Sequence, residues 1–314
     1  MAPPFLDTVR SQPPWVFLLW LVGSFNVLRV SLSFLKWIYA FFLRKPKNVL
    51  DYGSWAIVTG PTDGIGKALA FEMARKGLNL VLVDRDFDML KDVVAAIKVE
   101  MPAVELVTVV FDLSRDIPEG LCRLQKAIDG LDIGVLVNNA GVSYAVPKYL
   151  HEVDEEMYKE LANVNMEALT DISKLVLPGM LRKKKGAIVN IGSGSCVITP
   201  SYPMFAVYTG TKGFVNSLSR SLHHEYKNHG IDVQCQIPSF VVTKMVPDKK
   251  HSFFNPTPDE YAGPTIRAIG YGTTILPYWR HSIQCLFAKL IPETILNAWL
   301  LHSAHRRRQN YPSR

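Results

Sequence analysis

The sequence predicts an α/β protein built on a doubly wound parallel sheet, and three observations predict it. From Tyr52 onward, short apolar runs alternate with longer amphipathic ones at the spacing of βαβ units. The short runs are apolar throughout, as strands covered on both faces are. The first of them enters a glycine-rich turn, Thr59-Gly60-Pro61-Thr62-Asp63-Gly64-Ile65-Gly66, directly ahead of an amphipathic run. Glycines there let the backbone approach a pyrophosphate at a helix N-terminus, which makes the expected sheet Rossmann-type.

Before the sheet, Trp15 to Leu43 is strongly apolar, interrupted by Asn26, Arg29 and Lys36. A bilayer span needs about 20 apolar residues. Residues 1–48 therefore read as an N-terminal membrane anchor. It is either one tilted transmembrane helix or a span followed by an interfacial stretch with Trp37, Tyr39, Phe41 and Phe42. Little positive charge precedes the apolar run and no small-residue cleavage site follows it, which argues against a cleaved signal peptide. Arg44, Lys45 and Lys47 come directly after, so the positive-inside rule puts the rest of the chain in the cytosol.

Residues 49–280 form the expected sheet domain. Strands are expected at Trp55 to Thr59, Leu80 to Val83, Leu106 to Phe111, Val135 to Val137, Ala187 to Ile191 and Val233 to Ile237. Helices are expected at Lys67 to Lys76, Leu90 to Val99, Glu119 to Ile128, Asp154 to Leu181 and Ala206 to Tyr226. Met245 to Trp279, rich in Phe253, Phe254, Tyr261 and Tyr271, reads as a lid over an apolar substrate. Residues 281–314 are an apolar and basic extension. Its stretch Ile283 to Leu301 carries Lys289, Pro292 and Glu293, which suits a helical cap or an interfacial helix rather than a second span.

Composition narrows the function. Cys122, Cys196, Cys235 and Cys285 show no regular spacing, which argues against a disulfide framework or a zinc site. His223 and His224 point to different sides of a helix, cannot share a metal, and read as surface residues. No metal is expected. The net charge of +7 is gathered in clusters, two of them flanking apolar segments. Anionic lipid suits those clusters better than nucleic acid, for which no motif is present.

Tyr208 and Lys212 are four residues apart and share a helix face. An ammonium group beside a phenol lowers its pKa and fits it for general acid-base work at neutral pH. Tyr144 and Lys148 have the same spacing, but Pro147 between them disfavours a helix, so that pair reads as coincidence.

Together these features resemble the short-chain dehydrogenase/reductase family. Gly60, Gly64 and Gly66 resemble its glycine turn, and Asn138-Asn139-Ala140-Gly141 its motif after the fourth strand. Tyr208 and Lys212 match its catalytic pair, over a resemblance covering about Tyr52 to Met245. The resemblance implies that Gly60, Thr62, Asp63, Gly64, Ile65, Gly66, Asn138 and Ala140 hold the cofactor, with Asp112 at the adenine. Asn165 supports a water in the proton relay. Val241 and Thr243 lie in the loop that meets the nicotinamide, where this chain has Pro238-Ser239 in place of Pro-Gly.

A closer similarity is to membrane-anchored very-long-chain 3-oxoacyl-CoA reductases, carried by Leu222-His223-His224-Glu225-Tyr226, Val233-Gln234-Cys235-Gln236 and Thr243-Lys244-Met245. It implies NADPH-dependent reduction of a 3-oxoacyl-CoA in the endoplasmic-reticulum membrane, among other elongase subunits. Family members also dimerise through the helices at Asp154 to Leu181 and Ala206 to Tyr226. A hydroxysteroid dehydrogenase or a non-catalytic paralogue are the alternatives. Two positions depart from the pattern. At the end of the second strand Asp84 favours NAD(H) and Arg85 favours NADP(H), unless the two pair with each other. The catalytic serine is Ser193 by strand register and Ser195 by distance from the tyrosine. A dilysine retrieval signal is missing from the C-terminus.

Overall fold

The computed structural model describes residues 13–246 and 248–310. The chain forms two units, Met1–Lys45 and Pro46–Arg314.

In the first unit, helix α1 (Pro14–Ile38) runs on into a π-helical turn, Tyr39–Leu43. Pro14 opens it at a position where a missing amide proton costs nothing. No residue of α1 is buried, and the 30 residues to Leu43 are long and apolar enough to cross a membrane. At the α-helical rise they extend about 45 Å, more than the ~30 Å of a hydrocarbon core. Asn26 donates to the Val22 carbonyl and Ser33 to the Arg29 carbonyl, both at 2.8 Å, so these polar groups are satisfied within the helix.

The second unit holds a seven-stranded parallel sheet in the order β3-β2-β1-β4-β5-β6-β7. The strands are β1 (Trp55–Thr59), β2 (Asn79–Asp84), β3 (Leu106–Val110), β4 (Ile133–Asn138), β5 (Gly186–Ile191), β6 (Ile231–Gln236) and β7 (Thr274–Ile275). Alternate residues of each strand face opposite layers. Ala56 and Val58 join a core with Leu69 and Met73 of α2 (Gly64–Arg75), Leu90 and Ile97 of α3 (Phe87–Glu100) and Ile266 of α8 (Pro258–Arg267). Trp55 and Ile57 join the opposite core with Leu124 of α4 (Ile117–Ile128) and Ile172 of α6 (Ala168–Lys183). Both faces are therefore covered, as continuous apolar strands require.

The structure refines the sequence reading in three places. The expected helix from Asp154 to Leu181 forms over residues 155–183 as α5 (Glu155–Ala162) and α6, which run on into each other through a π-helical segment Asn163–Glu167. Such segments recur at functional sites. His223 is not a free surface residue. Its ring is half-buried and Nδ1 lies 3.1 Å from the Val233 carbonyl, tying α7 (Ala206–Tyr226) to β6. The C-terminal stretch folds into α9 (Trp279–Leu290) and α10 (Glu293–Asn310) within the second unit. Leu296, Leu300 and Ala304 are buried, and Arg308 grips Glu152 with two hydrogen bonds of 2.6 and 2.7 Å.

Candidate active site

The sheet order reverses between β1 and β4, and ligands of open α/β sheets bind outside the strand ends at such a point. A cavity of about 1230 Å³ lies there. Its floor is the glycine turn. Gly60 and Gly64 have φ of +66° and +54°, the left-handed region that favours glycine. A Cβ on Gly60 would come within 3.1 Å of the Ala140 backbone. Asp63 caps α2 by accepting from the Gly64 amide at 2.8 Å. Thr62, Asp63, Gly64 and Ile65 line the cavity. Gly66 does not. A side chain there would overlap the Gly60 carbonyl, so its role is close packing of α2 on the turn.

Asn138 is also placed elsewhere. It is 3% exposed and donates to Asn190 at 2.8 Å and Ser173 at 3.0 Å, inside the protein. Its neighbour faces the cavity. Asn139 donates to the Thr59 and Gly60 carbonyls at 3.0 and 3.1 Å and so fixes the glycine turn. Ala140 lines the cavity beside it.

Asp84 and Arg85 do not pair with each other among the described residues. Asp84 accepts from the Thr62 hydroxyl at 2.8 Å and from the Asp86 amide at 3.3 Å. The Arg85 guanidinium is largely exposed, 3.8 Å from Glu160, and lines the cavity. Asp112 lines it too. Burial pushes its carboxyl up, but two hydrogen bonds from Ser114, then Arg85 and Arg115, hold it below the ordinary carboxylate value.

At the other end Tyr208, Lys212, Ser193 and Ser195 converge on the cavity. Burial pushes the Tyr208 phenol up to about 12, and a hydrogen bond with Ser193 works against that rise. The expected depression by Lys212 is not seen. Lys212 is itself held below its ordinary value by burial, and its Nζ donates to the Ile191 carbonyl at 3.0 Å. Desolvation sets the direction of the shift, so the phenol stays protonated, the form a general acid needs. Ser193 Oγ accepts from the Ser195 hydroxyl at 3.0 Å and the Ser195 amide at 3.2 Å. Ser195 reaches the tyrosine only through it.

Asn165 sits in the π-helical segment behind Lys212. Its Nδ2 donates to the Val142 carbonyl and to Thr211 Oγ1, and its Oδ1 accepts from the Val142 amide, each at 3.0 Å. A Cβ on Gly141 would meet Lys212 Nζ at 3.2 Å and Asn165 Oδ1 at 3.3 Å, so only glycine leaves that space.

Three contributions were not read from the sequence. Tyr144 forms no catalytic pair with Lys148, which turns to Asp154 at 3.5 Å. It stacks on Phe205 at 5.4 Å, and its hydroxyl accepts from the Val207 amide at 3.2 Å, satisfying the first turn of α7 one residue before Tyr208. His281 is fully buried. Its Nδ1 accepts from the Ser239 amide and its Nε2 faces the Phe254 carbonyl, both at 3.2 Å. Burial lowers its pKa to about 4 and keeps the ring neutral. It therefore fixes the loop that carries Val241 and Thr243, which both line the cavity. Finally, much of the apolar wall comes from α9, α10 and the turn between them, through Phe287, Ile291, Leu296 and Trp299. Of the expected lid aromatics, Phe254 lines the cavity. Tyr261 is buried beneath it against Tyr278 and His281.

The left-handed glycines, the capped start of α2 and the two acidic strand ends fit a dinucleotide, and the Tyr208–Lys212–Ser193 group fits proton transfer to a carbonyl. Fold and site define a nicotinamide-dependent oxidoreductase. The short chain dehydrogenase family model matches residues 54–252, and the chain belongs to that family. A very-long-chain 3-oxoacyl-CoA reductase-like protein of Arabidopsis thaliana is 41% identical over 304 residues, covering 95% of this chain and 97% of that one. The human protein named inactive hydroxysteroid dehydrogenase-like protein 1 is 36% identical over 305 residues, covering 92% and 90%. A short-chain dehydrogenase of Sphingobium yanoikuyae solved with NADPH superposes with a TM-score of 0.63 at 26% identity, covering 83% of this chain and 96% of that one.

Proposed function

We propose that the protein reduces the 3-keto group of a long-chain 3-oxoacyl-CoA, using NADPH. The observation that carries this reading is the continuity of one cavity from the glycine turn, past Tyr208, to the apolar wall of α9 and α10. The name of the Arabidopsis relative supports the substrate class. Gly60, Thr62, Gly64 and Asp112 would hold the cofactor. The bound nicotinamide supplies the hydride. Ser193 donates a hydrogen bond to the ketone oxygen, and Tyr208 delivers its proton there as negative charge develops. Lys212 would return a proton to Tyr208 and be reprotonated in turn through a water wire that Asn165 supports. Arg85 would take the 2′-phosphate of NADPH, since Asp84 is already engaged by Thr62 and Asp86. We place the enzyme in the endoplasmic-reticulum membrane, its second unit facing the cytosol beside the other elongation enzymes.

The test compares purified wild type with Tyr208→Phe. Wild type is expected to oxidise NADPH faster than NADH when a long-chain 3-oxoacyl-CoA is present, and faster than with a steroid ketone. Tyr208→Phe is expected to lose at least about 10²-fold of that rate. Equal rates for the two proteins overturn the reading.

A further inference from the structure

Along α10, the cavity-lining residues Ile295, Trp299, Ser303 and Arg307 recur every four positions, so one face of the helix follows the cavity. At the α-helical rise that face is about 18 Å long. Its character changes along the way. At the start, Ile295 and Trp299 join Phe287 and Ile291 in the cavity wall, and all four are also open to the outside, Trp299 by 61%. At the end stands Arg307, its guanidinium 3.4 Å from Asp248 and its side chain only 14% exposed. Its Nε is buried with no hydrogen-bond partner. Lys249 lines the cavity next to Asp248, over the Phe240 ring at 4.4 Å.

The two ends suit different chemistry. A buried guanidinium with a spare donor recognises carbonyl or phosphate oxygen, whereas an apolar chain laid against it would leave that donor unpaired. Side chains that are apolar, line the cavity and face outward form a rim that gains from being covered by hydrocarbon.

We propose that α10 sets the direction of the substrate. The thioester end lies toward Arg307 and Lys249, and the acyl tail leaves the cavity across Phe287, Ile291, Ile295 and Trp299. This rests on the preceding reading that the substrate is a long-chain thioester. The tail site is an open rim rather than a closed pocket, so chain length is not limited by an end wall.

The experiment uses the full-length protein in detergent with NADPH. The double variant Ile295→Ser, Trp299→Ser is compared with wild type on a long-chain 3-oxoacyl-CoA and on acetoacetyl-CoA, which has no tail. The expected result is a loss of about tenfold or more in kcat/KM on the long substrate, with acetoacetyl-CoA unchanged. Leu301→Ser, exposed on the same helix but off the cavity, is expected to change neither. Equal loss on both substrates, or no loss, overturns the proposal. A second readout does not need turnover. A long-chain acyl-CoA brominated in its tail is expected to quench the fluorescence that Trp299→Phe removes. No quenching of that component sinks the tail site. Quenching without reduction of any 3-oxoacyl-CoA upholds the tail site and sinks the reductase reading.

Discussion

Ser193 and Ser195 are joined by a 3.0 Å hydrogen bond, yet their chemistry is unequal. Ser193 accepts twice from Ser195, which leaves its own proton for Tyr208 or a ketone oxygen. Ser195 is 7% exposed and its proton is engaged by Ser193. Ser193→Ala is therefore expected to lower the single-turnover rate by about 10²–10³-fold, the usual effect of removing a preorganised donor. Ser195→Ala loses a neutral hydrogen bond of about 1 kcal/mol, or roughly a factor of five in rate. The reverse order in stopped-flow assays would hand the role to Ser195. At this scale the sequence located motifs but not facings. It marked the asparagine pair at the end of β4, but Asn138 turns into the protein and Asn139 to the cavity, as successive residues at a strand end do. Likewise the i,i+4 spacing of Tyr208 and Lys212 said nothing of how deeply the phenol is desolvated.

The elements that carry these residues are held by contacts of very different legibility. The five βα repeats were readable because continuous apolar strands and amphipathic helices are local patterns. The π-helical segment Asn163–Glu167 was not, since a single π turn barely disturbs the apolar periodicity. Nor was the role of His281, which depends on bonds to Ser239 and Phe254, both far away in sequence. That bond set has a measurable signature. His281 is neutral in the folded protein down to about pH 4, whereas in the unfolded chain it titrates at its ordinary 6.5. Between those values the unfolded chain binds a proton that the folded one refuses. Its contribution is thus intact above pH 6.5 and shrinks as pH falls through the window, by up to roughly 3 kcal/mol. In His281→Gln, whose amide oxygen can still accept from Ser239, the decline in Tm from pH 6.5 to 4 is expected to be shallower than in wild type. Parallel declines would show that His281 is not the titrating group.

At the scale of the whole molecule, polarity divides the chain. The core clusters lie in the second unit, while α1 buries no residue and is long and apolar enough to anchor the protein in a membrane. What the sequence left open was the C-terminal end, where an interfacial helix and a tertiary contact share the same composition. The structure puts α10 in the cavity wall, which is a tertiary contact, and keeps Leu290, Ile295 and Trp299 exposed. Orientation is predicted from charge. Arg44, Lys45 and Lys47 follow the apolar helix directly, and the positive-inside rule expects a cluster so placed on the cytosolic face. A glycosylation acceptor fused to the C-terminus is therefore expected to remain unmodified in microsomes. Protease added outside intact vesicles is expected to digest the sheet domain and spare only the anchor. Glycosylation of the tag, or protection of the domain, would put the catalytic site in the lumen. It would then face a compartment whose side the basic cluster argues against, and the positive-inside assignment would fall with it.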